Sequence, residues 1–271
     1  MRQPKGIRSI ETGFRVLRAL EVATHALTLT QIADASGIGM SSARFYLVSL
    51  MRAGAVTQTS AGGRYRLGPA ALRMGLAALS QNDVLQMARD RLEPLRDDIG
   101  ETVFLSVWGE FGPVVVNRVD GDTMAPLAIR VGSHPTLAHS ATGRVFLAHM
   151  PESETRALLR KSAPAARRGR PALVGARLED IVADVRRRGF ALSAAGVLPG
   201  IQAIAAPVFG MEALQCVITV MGHEGEFDIR ERGRVVTRLL EVTRSASSDA
   251  GHTGVVPAPR STATGRTRRQ A

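Results

Sequence analysis

Residues 27–56, LTLTQIADASGIGMSSARFYLVSLMRAGAV, constrain the fold more than any other part of the chain. Thr30 is predicted to cap a short helix that ends at Gly37, because threonine favours N-cap positions and glycine favours C-cap positions. A second helix is predicted from Met40 to Ala53, where small and apolar residues recur at helical spacing. Two helices joined by a tight glycine-containing turn are typical of a helix-turn-helix.

The second predicted helix has one face that can pack and an opposite face that is polar and aromatic. This outward stripe consists of Ser41, Arg44, Phe45, Val48 and Arg52. Arginine and serine side chains contact phosphates and base edges in DNA, so the stripe predicts a recognition helix. Arg44 is a candidate for contact with either a guanine edge or a phosphate.

Two features of the stripe bear on how it would meet DNA. Ser41 and Ser42 stand at the helix start, where hydroxyls and backbone amides together favour a phosphate. Phe45 has two interpretations, contact with a thymine methyl group or contact with another protein. The sequence leaves both open.

A β-hairpin is predicted directly after the second helix. Two β-prone runs, Ala55 to Thr59 and Arg64 to Leu67, are joined by the turn-forming residues SAGG. A hairpin in this place is the wing of a winged helix-turn-helix. Since Arg64 and Arg66 alternate with Tyr65 and Leu67, one face is predicted to meet phosphates and the other to pack.

The charge distribution agrees with a DNA-binding head. The whole chain carries a formal charge of +11. Residues 1–80 hold ten Lys and Arg against three acidic residues, whereas residues 81–247 hold 21 against 20. A basic first segment joined to a nearly neutral larger one predicts an anion-binding head on a body with another task.

The remainder of the chain alternates strand and helix patterns. A helical pattern begins at Pro69, breaks at Asn82 and Asp83, and contains Pro94 as a candidate kink. Strands are predicted at 102–109, 112–119, 125–131, 200–210 and 214–222, and helices at 140–150, 152–161, 177–189 and 229–245. Hairpin strands with helices between them favour an α+β fold with an antiparallel sheet. The composition after about residue 245 predicts a disordered basic tail.

Several classes of function lack their usual sequence signals. The single cysteine, Cys216, excludes an internal disulfide, and the six histidines show no metal-binding spacing. Paired carboxylates, nucleophile motifs and phosphate-binding loops are also missing. No apolar run is long enough for a membrane span, and the start lacks a signal-peptide pattern. We therefore expect a cytoplasmic protein that is no enzyme and uses neither metal, cofactor nor membrane.

Taken in order, several motifs resemble the IclR family of bacterial transcriptional regulators. They are the segment at 27–56, GRYRLGPAALRMG at 63–75, IGETVFLSVW at 99–108, RVGSHPTLAHSATGRVFLA at 130–148 and RRGFALSAAGVLPGIQAIAAPVFG at 187–210. The resemblance covers about residues 7–243. It implies a winged helix-turn-helix at 7–68, a linker helix at 69–82 and a GAF-like effector-binding domain at 83–245. The disordered basic tail predicted from composition then occupies 246–271. The resemblance also implies a homodimer or a tetramer that binds double-stranded operator DNA and responds to a small molecule.

The resemblance bears on the candidate DNA-binding residues of the helix and the wing, because this chain departs from the family at some of them. The set is Met40, Ser41, Ser42, Arg44, Phe45, Arg52, Arg64 and Arg66. The family usually has a basic residue at the position of Met40 and an arginine at that of Phe45. Arg44 stands where histidine or another polar residue is common. The outward stripe therefore has fewer polar base readers than the family pattern.

The effector site implied by the resemblance is also altered. Its residues are Leu127, Ala141, Thr142, Gly143, Ser193, Ala203, Thr219 and Met221. In relatives that sense small acids, amides at a helix start hold a carboxylate, and residues 141–143 match that start. Ala203 and Met221 replace polar residues of those relatives, which favours a partly apolar or aromatic acid over a two- or three-carbon acid. The alternative is that these residues fill a core and bind no effector.

Three functions follow from these patterns. The first is a ligand-responsive transcriptional regulator, which represses or activates. The second is a nucleoid-like binder without sequence preference, which the Met40 and Phe45 departures favour. The third is an enzyme or sensor based on the C-terminal domain.

Overall fold

The computed structural model describes residues 6–59, 63–122, 129–162, 176–193 and 198–254. The chain forms two compact units, Met1–Gln81 and Asn82–Ala271. In the described residues, no helix has both the length and the apolar character that a membrane span requires.

The first unit is a helical head with a hairpin. Its elements are α1 (Arg8–Glu21), α2 (Leu29–Ser36), α3 (Met40–Arg52), β1 (Val56–Gln58), β2 (Tyr65–Leu67) and α4 (Pro69–Ser80). Val16, Ile32 and Leu47 bring one side chain each from α1, α2 and α3 into a fully buried cluster. This apolar cluster fixes the angle between the two helices of the helix-turn-helix.

The predicted cap of α2 is wrong. Thr28, and not Thr30, caps the helix, because its hydroxyl accepts from the Gln31 amide and the Gln31 side chain accepts from the Thr28 amide at 2.9 Å. This reciprocal pair is a capping box. Gly37 ends the helix with a φ of 65°, as the glycine there predicted.

The hairpin forms as predicted and gains a third neighbour. Val56 lies opposite Leu67, and Gln58 lies opposite Tyr65. Tyr65 also exchanges two backbone hydrogen bonds, of 2.9 and 2.7 Å, with Leu27 on the other side. The sequence did not indicate this pairing, since a single-residue bridge has no strand pattern.

The second unit is a five-stranded antiparallel sheet with helices packed on it. Its elements are α5 (Asp83–Arg89), α6 (Leu92–Ile99), β3 (Thr102–Gly109), β4 (Gly112–Val119), α7 (Ala141–His149), α8 (Glu152–Ser162), α9 (Ala176–Arg188), β5 (Ala191–Leu192), β6 (Ile201–Phe209), β7 (Leu214–His223) and α10 (Arg234–Asp249). The strand order is β4-β3-β7-β6-β5. Helix α7 packs on the sheet face that carries Ala205 and Val217. The alternate residues Ile204 and Ile218 are fully buried too, so the opposite face is covered as well.

Several boundaries of this unit differ from the predictions. Asn82 caps α5, so a new helix begins at the predicted break. Pro94 lies in the first turn of α6, where proline is tolerated, so it does not kink a longer helix as predicted. Residues 129–131 of the strand predicted at 125–131 are not in a strand, and 125–128 lie outside the described residues. The short β5 was missed because two residues show no alternation.

The last helix begins and ends later than predicted. It starts at Arg234 after Gly233, five residues beyond the predicted start at Ile229, and continues to Asp249. The predicted start of the tail at residue 246 is therefore wrong. Ala246 and Ser247 are buried, which explains why the helix extends that far. The tail from residue 255 onward lies outside the described residues.

Candidate DNA-binding surface and effector pocket

Helix α3 presents its predicted outward stripe to solvent except at Val48, which is half-buried. Ala43 and Leu47 anchor the helix with fully buried side chains. On the other face Phe45 is 76% exposed, and Arg44 and Arg52 are exposed as well. The remaining predicted DNA-binding residues of this helix, Met40, Ser41 and Ser42, are also exposed. An uncovered aromatic side chain among arginines and serines forms a surface suited to a macromolecular partner.

The start of α3 leaves several hydrogen-bond donors for an outside acceptor. Gly39 caps the helix without a side chain, and the first intrahelical bond runs from the Ala43 amide to the Gly39 carbonyl at 2.9 Å. Within the described residues, the amides of Met40, Ser41 and Ser42 therefore have no backbone acceptor. Three amides at the positive end of a helix favour a phosphate.

The wing arginines have different surroundings. Arg66 is exposed on β2, opposite Thr57. Arg64 donates from Nη1 to the carbonyl of Ala26 at 3.2 Å, so it also ties the wing to the loop before α2. Tyr65 is buried as predicted, but Leu67 is 39% exposed, so the predicted packing face holds only at Tyr65.

A cavity of about 190 Å³ lies between the start of α7 and the sheet. It is lined by Phe104, Ile129, His134, Pro135, Thr136, Ser140, Ala141, Thr142, Ser193, Leu198, Ile201, Ala203, Thr219 and Met221. Six of the eight predicted effector-binding residues are in this set. Gly143 is not in the lining, and Leu127 lies outside the described residues.

Two hydroxyls meet at the inner wall of the cavity. The Oγ1 atoms of Thr142 and Thr219 are 2.8 Å apart, and both residues are almost fully buried. One hydroxyl hydrogen lies between the two oxygens. The other hydrogen is left without an acceptor among the described residues, so this pair can donate one hydrogen bond to a ligand.

The first turn of α7 supplies further donors. Ser140 caps the helix, since its Oγ accepts from the Gly143 amide at 2.9 Å and donates to the Thr136 carbonyl at 2.7 Å. This cap uses the Gly143 amide but leaves those of Ala141 and Thr142 without a partner in the described part of the chain. Gly143 has a different role from the one predicted: it allows close packing, because a Cβ there would lie 2.2 Å from the Thr136 carbonyl.

The opposite wall is mainly apolar. Phe104 and Met221 are buried in one cluster with Ile129, Leu198, Ile201 and Ala203 packed against it. Ser193 adds a polar group, because its Oγ accepts from the Ala203 amide at 3.0 Å and keeps its own hydrogen for a ligand. Phe104 was not predicted as a site residue. It lies opposite Thr219 on β3, and alternation along a strand indicates the face of a residue but not its partner on the next strand. His134 comes from an irregular loop without periodic spacing, and Ile129 comes from the segment at 125–131 that was predicted as a strand.

Comparison with known proteins decides the family. The family described as "Bacterial transcriptional regulator IclR C-terminal" matches residues 76–248, and the "IclR helix-turn-helix domain" matches residues 9–60. The chain belongs to the IclR family. It is a DNA-binding transcriptional regulator of the IclR type, so the predicted family and the α+β fold class are confirmed.

Individual IclR proteins are similar over nearly the whole chain. The Glycerol operon regulatory protein of Streptomyces coelicolor is 27% identical over 254 residues, which are 91% of this chain and 98% of the relative. The solved structure of Pseudomonas aeruginosa HmgR is 35% identical, with a TM-score of 0.58 over 92% of this chain and 100% of that one. An IclR homolog from Microbacterium hydrocarbonoxydans, solved in complex with 4-hydroxybenzoate, is 18% identical with a TM-score of 0.69 over 90% of this chain and 99% of that one. At this identity the last comparison concerns the fold alone.

The described part of this IclR protein holds no cluster suited to a metal ion, defined as three or more His, Cys, Asp or Glu side chains. Two buried ionisable groups lie elsewhere in its core. Burial raises the pKa of the Cys216 thiol, and burial with nearby Arg186 lowers the pKa of His149 to about 4. Both side chains are therefore neutral near pH 7, and both serve the packing of the sheet and its helices.

Proposed function

We propose that this IclR-type regulator binds a small aromatic or partly apolar carboxylic acid in the cavity between α7 and the sheet, and that it binds operator DNA as a homodimer. The observation that carries the proposal is the division of the cavity. Hydrogen-bond donors gather at the start of α7, and an apolar wall faces them. An aromatic acid with a single ring is divided in the same way, into a carboxylate at one end and an apolar ring at the other.

The donors suit a carboxylate. The amides of Ala141 and Thr142 point out of a helix start, where the macrodipole favours negative charge. The free hydrogen of the Thr142–Thr219 pair adds a third donor at this turn, whereas the Ser193 hydroxyl is a donor on the facing wall. A carboxylate accepts about four hydrogen bonds, so the three donors at the turn are within its capacity.

The volume of the cavity and its apolar wall favour a ligand with a single ring. Apolar cavities of about 150 Å³ hold a benzene molecule, and this cavity measures about 190 Å³. A two- or three-carbon hydroxy or keto acid would leave polar groups unpaired against Met221 and Ala203, at a cost of about 1–3 kcal/mol for each group. A protein of the same fold was solved with 4-hydroxybenzoate, which supports the choice of that acid as the first probe.

The DNA-binding half of the proposal rests on α3 and the wing. The exposed stripe of α3 enters a major groove, its first amides and serines hold a phosphate, and Arg66 contacts the backbone from the wing. In a homodimer, two recognition helices would meet successive grooves about 34 Å apart. The protein acts on DNA in the cytoplasm, and no catalytic step is part of the proposal.

Exposed apolar side chains support the homodimer. On α1, Ile10 is 55% and Phe14 is 56% exposed, on the side opposite the buried Val16. On α4, Leu72 is 66% and Leu76 is 57% exposed, and the two are one turn apart. Soluble monomers rarely leave such stripes in water, so a second copy is the partner that we propose for them.

Isothermal titration tests the effector site. We expect 4-hydroxybenzoate to bind the wild-type protein and Thr142→Trp to abolish the binding, because the indole fills the cavity. Thr237→Trp is the matched control, since Thr237 is exposed on α10. Binding of acetate or pyruvate in preference to the ring acid would contradict the proposal, and so would unchanged binding by Thr142→Trp.

A further inference from the structure

Arg144 lies beside the cavity without lining it. It is on α7, one turn after the cap residue Ser140, and its amide donates to the Ser140 carbonyl at 3.0 Å. Its side chain leans back toward the helix start, as long side chains on helices do. Nε donates to the carbonyl of Ala138 at 3.1 Å, and Nη1 donates to that of Leu192 at 2.8 Å.

These two hydrogen bonds join the two walls of the cavity. Ala138 belongs to the loop that carries His134 and Thr136, which line one side. Leu192 directly precedes Ser193, which lines the other side. One guanidinium therefore spans segments that are 54 residues apart in the chain.

In the described part of the chain, no acidic oxygen lies within ion-pair distance of a nitrogen atom of Arg144. Asp184 is the acidic group that acts on it through space, and this carboxylate already pairs with Arg187 and Arg188. Burial lowers the pKa of Arg144, although arginine remains charged near neutral pH.

The position of this charge beside the start of a helix is electrostatically unfavourable. The N-terminal turn of a helix favours anions and disfavours cations, because the macrodipole is positive there. Here a half-buried guanidinium lies beside that turn, since its Nε donates to the carbonyl of Ala138, two residues before the cap residue Ser140. A bound carboxylate would relieve both effects at once.

We infer that Arg144 is a specificity-determining residue of the effector pocket, which selects an anionic ligand over a neutral one of the same shape. The charge of Arg144 acts through space on the carboxylate of the ligand. Its hydrogen bonds to two backbone carbonyls position the cavity walls that hold the ring. The inference rests on the proposed effector site and adds the source of its charge preference.

The test compares 4-hydroxybenzoate with 4-hydroxybenzamide, which has the same shape but no charge near neutral pH. We expect wild-type protein to prefer the acid, and Arg144→Gln to lower that preference by about tenfold, since the neutral side chain removes a charge from a partly buried site. Arg144→Lys keeps the charge but loses the fork that reaches both carbonyls. It is expected to keep the preference for the acid while binding both compounds more weakly. Arg156→Gln, at an exposed arginine of α8, is the matched control and should change neither affinity.

The outcomes separate the inference from the proposed function. Wild-type protein that binds neither compound overturns the proposed effector class, and the inference with it. Wild-type protein that binds the acid, with Arg144→Gln losing both compounds to the same extent, overturns the inference alone, since Arg144 would then only hold the fold. Circular dichroism and thermal melting of each variant check that the domain is folded. If Arg144→Gln does not fold, loss of the acid preference in Arg144→Lys overturns the inference.

Discussion

Thr142 and Thr219 join α7 to β7 through a single hydrogen bond of 2.8 Å between two buried hydroxyls. The bond lies at the cavity wall, so it links the packing of the helix on the sheet to the binding of a ligand. Removing one hydroxyl leaves the other unpaired in a buried place. Both stability and ligand affinity should respond to the same substitution.

We expect Thr219→Val to lower the free energy of unfolding by about 1–3 kcal/mol and to weaken binding of 4-hydroxybenzoate by about tenfold. Urea denaturation and isothermal titration measure the two effects. Thr243→Val, at a buried threonine of α10 outside the cavity, is expected to change stability without changing affinity. Equal affinity of Thr219→Val and wild-type protein would show that the hydroxyl pair has no part in binding.

Gly143 is expected to tolerate no side chain. A Cβ at this position would lie 2.2 Å from the Thr136 carbonyl and 2.5 Å from that of Leu137, and both are backbone atoms of the loop that packs on α7. Gly143→Ala should therefore destabilise the second unit by about 1–3 kcal/mol.

Gly13→Ala is the contrasting control, because a Cβ there meets only Tyr46 at an ordinary 3.8 Å. In the middle of α1 it should raise the stability of the head by up to about 1 kcal/mol. Calorimetry measures both, and an unchanged melting of Gly143→Ala would contradict the close packing.

His149 should make the protein sensitive to mild acid. Burial, together with Arg186, lowers its pKa to about 4, whereas the unfolded value is about 6.5. The unfolded chain therefore takes up a proton before the folded protein does. The stability contribution is complete above about pH 6.5 and is lost as the pH falls toward 4, by about 3 kcal/mol in total. His149→Phe, which keeps an aromatic ring against Phe209, should reduce this slope in urea titrations at several pH values. An identical slope in the variant would assign the acid sensitivity to other groups.

The apolar stripe on α1 tests the homodimer. We expect Phe14→Glu to shift the protein from dimer to monomer in sedimentation velocity experiments, because it places a charge where two copies would bury a ring. Operator affinity should fall at the same time, since each copy then binds alone. Met211→Glu changes a side chain that is 77% exposed in the second unit and is the matched control. A dimer that persists in Phe14→Glu would place the interface elsewhere.

The sequence predicted those features that have a period or a local signature. The faces of α3 follow from residues at helical spacing, and the sheet follows from alternating runs such as residues 102–109. Even the cap of α2 was readable, since Thr28 and Gln31 have the spacing of a capping box. Of the effector residues matched through the family, those in the described part of the chain line one cavity, except Gly143.

Other features depend on backbone atoms and could not be predicted. Arg144 donates hydrogen bonds to the backbone carbonyls of Ala138 and Leu192. Because every residue has a carbonyl, the sequence does not indicate which of them are its partners. The pairing of Leu27 with Tyr65 is of the same kind. The loop that brings His134 to the cavity has neither helical nor strand spacing, so its path is set by packing. Ile129 lies in a segment whose pattern predicted a strand, and no strand forms at 129–131.

Sequence-specific binding by the head is tested by its affinity for DNA, measured by fluorescence anisotropy at roughly 150 mM salt. The gene's own upstream region is compared with a scrambled duplex of equal length, for wild-type protein and for Arg44→Ala. We predict a preference of about 10³-fold or more for the upstream region, and a loss in Arg44→Ala that is larger on this duplex than on the scrambled one. Equal affinities of the wild-type protein for the two duplexes would contradict the account, because a head without sequence preference is the nucleoid-like binder that Met40 and Phe45 left open.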